Sequence, residues 1–120
     1  MAMQDDPLQE AQSNAQRMVA HTEQALEAAE ADEMQSQIHE SLRCGEQARA
    51  FLEETLDSTD EERVILHGEQ ALEAIEEALD QANQALFSSE TAMREHIEQM
   101  GMFGEQALAQ LEFALGVETV

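Results

Sequence analysis

The chain has 120 residues, 42% of them hydrophobic, and carries 27 Asp and Glu against 5 Arg and no Lys, for a formal net charge of -22. That length fits one domain with a small core. A surface this negative repels phosphate backbones and anionic lipid, which argues against nucleic acid and membranes as partners, and it attracts cations or a basic protein patch.

Trp and Tyr are absent, Pro occurs 1 time and Gly 5 times. Ala, Leu, Glu and Gln dominate, which points to an all-helical domain without a sheet. No apolar run approaches the roughly 20 residues of a transmembrane helix. The stretch Met1 to Pro7 has neither the basic region nor the apolar run of a leader peptide, so the chain reads as soluble. Cys44 is the single cysteine and has no partner for an internal disulfide.

Residues 1–5 read as a loose tail. Asp6-Pro7 is a helix start, because Asp caps free amides and Pro suits the first helical position. Leu8, Ala11, Ala15, Met18, Val19, Ala25, Leu26 and Ala29 then recur at helical spacing, with Thr22 filling the one gap. This predicts a first helix over 7–30. Asp32 is the expected cap of a second helix over 32–57, with Met34, Ile38, Leu42, Gly45, Ala48, Leu52 and Leu56 on its stripe. No Gly or Pro marks the turn between them. A turn is nevertheless preferred, since one continuous helix of about 50 residues would leave its stripe uncovered.

Asp57-Ser58-Thr59-Asp60 is the clearest loop. Thr59 or Ser58, followed by Glu61 and Glu62, predicts the start of a third helix over 60–86. Ser88-Ser89 predicts the start of a fourth over 89–115, which Gly116 stops, leaving 117–120 as a frayed end. Four helices of similar length with short connections predict an antiparallel up-down-up-down four-helix bundle, one domain with short flexible termini.

A phrase recurs along these helices: His21-Thr-Glu-Gln-Ala, Cys44-Gly-Glu-Gln-Ala, His67-Gly-Glu-Gln-Ala and Phe103-Gly-Glu-Gln-Ala. Such repetition suggests a copied structural unit. Thr22, Gly45, Gly68 and Gly104 fall on the apolar stripe, and the residue before each falls at its edge. That alone describes a close helix contact flanked by a half-buried side chain.

The phrase also resembles that of the small metal-binding protein family, His-rich four-helix bundles of the periplasm whose helices repeat His-Ala-Glu-Glu-Ala. The resemblance covers most of residues 15–115. It implies the same bundle, an exported setting and the binding of copper or another divalent metal without catalysis. His21, Cys44 and His67 match the family's ligand-bearing positions. Only four histidines are present and Phe103 stands where imidazole recurs, so the implied metal capacity is reduced.

The predicted turns place His21, His39 and His96 about 8 to 10 residues from one end of the bundle, a spread of about 3 Å at helical rise. Imidazoles at one level can share Cu(II), Zn(II) or Ni(II) if they point together, with Glu40 and Glu95 beside them. Three independent surface histidines is the plainer reading. Met18, Cys44 and Met100 share another level and form a soft set suited to Cu(I), although Met and Cys also fill cores.

Other chemistries lack their patterns. Glu-x-x-His, His-Glu-x-x-His, an EF-hand loop, a nucleophile elbow and a phosphate-cradling Gly-rich loop are all missing. The chain therefore reads as a non-enzyme. Two functions follow: a small acidic binding protein for divalent metal, or a structural and interaction bundle. The second predicts scattered histidines and an exposed apolar patch, with Phe51, Phe87, Phe103 and Phe113 as candidates, and allows a homodimer.

Overall fold

The computed structural model describes residues 6–116. They form four helices, α1 (Pro7–Glu27), α2 (Ala31–Ser58), α3 (Glu62–Leu86) and α4 (Glu90–Leu115), with no strand among the described residues. The tails expected at 1–5 and 117–120 lie outside the described residues. None of the described helices is long and apolar enough to cross a membrane.

The outer ends follow their local signals. Asp6 Oδ1 accepts from the Leu8 N–H at 3.0 Å, and Pro7 takes the first helical position, where its missing N–H loses no intrahelical bond. The Ser89 hydroxyl accepts from the Ala92 N–H at 3.4 Å. Gly116 ends α4 at φ 76, a left-handed backbone that only a residue without Cβ adopts freely. The inner starts differ from expectation. Glu30 rather than Asp32 is the N-cap of α2, Glu61 rather than Thr59 or Ser58 is that of α3, and neither makes a side-chain cap bond. Thr59 Oγ1 instead accepts from the Glu61 N–H at 3.2 Å within the loop. Asp32, Glu33 and Glu62 occupy the first turns, where the helix dipole favours negative charge.

The first turn comes early. α1 stops at Glu27, and Ala28 (ψ 134) and Glu30 (ψ 147) are extended. Arg94 of α4 explains how a helix can end there without Gly or Pro. Its guanidinium donates to Leu26 O at 3.4 Å and to Ala28 O at 3.1 Å. These are carbonyls at the open end of α1, and a cation is favoured at that end. Ala29, expected on the stripe, is consequently exposed.

Neighbours across each interface fix the topology. His21 meets Gln37 and Met18 meets Ser41 between α1 and α2. Gly45 faces Leu79 and Gly68 faces Leu56 between α2 and α3. His67 meets Gln110 and Gln81 meets His96 between α3 and α4. Gly104 faces Val19 and Gly101 faces Thr22 between α4 and α1. In every pair one number rises as the other falls, so all neighbours are antiparallel and the bundle runs up-down-up-down. The α1/α2 and α3/α4 hairpins pack more extensively than the α1/α4 and α2/α3 interfaces.

The core follows a heptad. Met34, Ile38, Ser41, Gly45, Ala48, Leu52 and Thr55 of α2, and Met93, Ile97, Met100, Gly104, Ala107, Leu111 and Ala114 of α4, are buried at alternating steps of four and three. The same alternation holds for Leu8 to Ala25 in α1 and Val64 to Ala85 in α3. These are the a and d positions of left-handed bundle packing. All four copies of the repeated phrase share one register: Thr22, Gly45, Gly68 and Gly104 are a positions, the following Ala25, Ala48, Ala71 and Ala107 are d positions, and all are buried. Small side chains there let the backbones approach. A Cβ on Gly45 would lie 2.8 Å from Met18 Sδ and 2.7 Å from Leu79 Cδ2, and one on Gly104 would lie 2.8 Å from Val19 Cγ2.

Asn14, Thr22, Ser41 and Thr55 bring polar groups into the core; Asn14 Oδ1 has no partner among the described residues, whereas Thr22 and Ser41 pair across helices. Thr22 Oγ1 and Ser41 Oγ lie 2.7 Å and 3.0 Å from Met18 O and 2.8 Å from each other. Two hydroxyl protons serve these three contacts, which ties α1 to α2 without leaving a hydroxyl unpaired.

Enlarging the close contacts should therefore be costly. Gly45→Leu and Gly104→Leu each should lower unfolding free energy by about 3 kcal/mol in urea titrations. Gly101 has only Thr22 Cγ2 near its Cβ position, at 3.8 Å, so Gly101→Ala should raise stability by about 0.5–1 kcal/mol. Arg94→Ala should cost about 1–2 kcal/mol, with faster amide exchange at the end of α1.

Candidate functional site

Three of the four histidines are held in the same way. The ring Nδ1–H of His21 donates to Gln37 Oε1 at 2.8 Å, that of His67 to Gln110 Oε1 at 2.7 Å, and that of His96 to Gln81 Oε1 at 2.7 Å. An amide oxygen only accepts, so each pair sets the proton on Nδ1 and leaves the lone pair on Nε2. All six side chains occupy the g position, just before an a residue. In an antiparallel hairpin g faces g, and the close backbones bring such side chains within bonding reach. Along α3/α4 the g residues His67, Ala74 and Gln81 oppose Gln110, Phe103 and His96, one heptad per step. His67 also packs against Phe113, ring centroids 5.2 Å apart.

The expected three-histidine site does not assemble. His21 lies in the α1/α2 seam and His96 in the α3/α4 seam, on opposite sides of the bundle. His39 is exposed on α2. Among the described residues there is no group of three or more His, Cys, Asp or Glu that could hold a metal ion. Direction around a helix depends on which neighbour each g residue faces. Glu40, expected beside His39, is engaged by Arg43 at 3.3 Å, and that hydrogen bond together with the nearby charge holds its carboxyl below the usual range.

The soft set also divides. Cys44 is buried with Met18 and Ala78, against Phe103, whereas Met100 joins a neighbouring cluster with Met34, Ile38 and Ile97. Cys44 thus occupies a g position as a small apolar residue in the seam. His67 lies on α3 toward the opposite end of the bundle from His96.

Sequence reading passed over the glutamines. Gln37, Gln81 and Gln110 carry the histidines, and the signal was available: each stands a whole number of heptads from a g position of the repeated phrase. On the outward face of α4 it picked out Phe113 alone. Met102, Gln106, Ala109 and Phe113 are exposed at helical spacing, and none is charged. Of the phenylalanines, Phe87 is 91% and Phe113 52% exposed, while Phe51 and Phe103 pack against core clusters.

Replacing Gln37, Gln81 or Gln110 by Ala should cost about 1 kcal/mol each. Ring nitrogen NMR should show His21, His67 and His96 as the Nδ1–H tautomer when neutral, and His39 as the mixture of a solvated imidazole. A mixture at the paired histidines would remove the seam assignment.

Compared with known proteins, the chain matches no family model, no curated protein and no solved structure.

Proposed function

We propose that the chain is a non-enzymatic acidic helical bundle that engages a protein partner through its surface. One observation carries this reading. His21, His67 and His96 are separately seated on glutamines in two opposite seams, which gives them a packing role with no common ligand. The exposed apolar side chains support it as well: Phe113 and Met102, 52% and 47% exposed, lie on the outward face of α4, where apolar surface can serve a partner. Partners favoured by a net charge of -22 are basic.

A second reading rests on the same hydrogen bonds. Donation from Nδ1 leaves Nε2 free, the arrangement by which a metal-binding imidazole is oriented. Binding of Cu or another divalent ion, with low capacity, is the function this would support.

Calorimetric titration with Cu(II) and Zn(II) at roughly physiological salt, where diffuse attraction is screened, separates the two. The interaction reading expects weak binding that is unchanged in a His21→Ala/His39→Ala/His96→Ala variant. Tight stoichiometric binding lost in that variant would overturn it in favour of the metal reading.

A further inference from the structure

We propose that the outer face of the α3/α4 hairpin docks a basic amphipathic helix of the partner, an inference that rests on the interaction reading above. A groove of about 360 Å³ runs between the two helices there. Its floor is Ala74, Phe103 and Ala109, and Glu73 and Glu77 form its α3 rim. The opposite rim is amide, from Gln106 and Gln110. Apolar floor and acidic edge are complementary to a helix with one apolar stripe and flanking cations.

The length fits as well. The lining residues run from Phe103 to Gln110 on α4 and from Gln70 to Glu77 on α3, about 10 Å or two turns of helix. A partner helix reads such a surface through anchors at i, i+4 and i+7. No cation opposes its approach, since α3 from Leu66 to Leu86 and α4 from Glu95 to Leu115 contain no Arg or Lys. Arg17, Arg43 and Arg49 all lie on the other hairpin. A second copy of this chain fits poorly, because it would bring another -22 and set its own acids against Glu73 and Glu77. Nucleic acid is repelled by the same charge.

The probe is a synthetic helix of about 14 residues with Leu at i, i+4, i+7 and i+11 and Lys elsewhere. Its control has the same composition scrambled to remove the stripe. Amide shifts of the full chain on titration should map to Ala74, Phe103 and Ala109, with affinity at least about tenfold above the control. Ala109→Arg, which fills the floor with a cation, should weaken binding about tenfold or more. Glu73→Gln/Glu77→Gln should weaken it about fivefold and flatten its salt dependence. These positions are exposed, so thermal midpoints should hold. No binding, equal binding of the control, or shifts centred on Phe87 or on the α1/α2 hairpin would each overturn the groove assignment. None of these results touches the interaction reading itself, which falls on a tight histidine-dependent metal site.

Discussion

Met18 packs between two backbones that present no side chain to hold it off. A Cβ on Gly45 would come 2.8 Å from its sulfur, and one on Gly104 would come 3.5 Å from its methyl carbon. Interiors are close-packed, so helix spacing is set by the side chains at the contact. Here the a position of the repeated phrase is Gly or Thr and the d position is Ala, which brings α2 and α4 against the same side chain of α1.

The polar pattern depends on that spacing. When two antiparallel helices lie close, their g residues meet at the edge of the core, half in water and half out. A polar group in that position needs a partner, because an unmet hydrogen bond there is costly. His21 with Gln37, His67 with Gln110, and Gln81 with His96 are three solutions of the same problem. Cys44 and Phe103 solve it by being apolar and burying against Met18 and Ala78. One local rule thus accounts for the variable residue in all four copies of the phrase.

Charge distinguishes the two hairpins where packing does not. The α1/α2 hairpin carries Arg17, Arg43 and Arg49 among its acids, while the long middle stretches of α3 and α4 carry no basic residue. The outward stripe of α4 is uncharged, and its Gln106 and Ala109 line a groove with Glu73 and Glu77 of α3. Exposed Glu is also a strong helix former, so the acidic surface favours helix formation and colloidal stability together with attraction of cations.

Helix number, helix type and most of the core were legible in the sequence because apolar residues at steps of four and three survive as a one-dimensional pattern. Asp6-Pro7, Ser89 and Gly116 marked their ends for equally local reasons, since a cap acts within one turn. The end of α1 was not legible: Glu27 stops the helix where Arg94, 66 residues beyond Ala28, supplies the donors for its carbonyls. The histidines show the same division. Their grouping depended on azimuth, and azimuth is decided only when each g residue acquires a facing helix. Sequence alone therefore determined the bundle and its stripes, and tertiary packing decided which side chains meet across it.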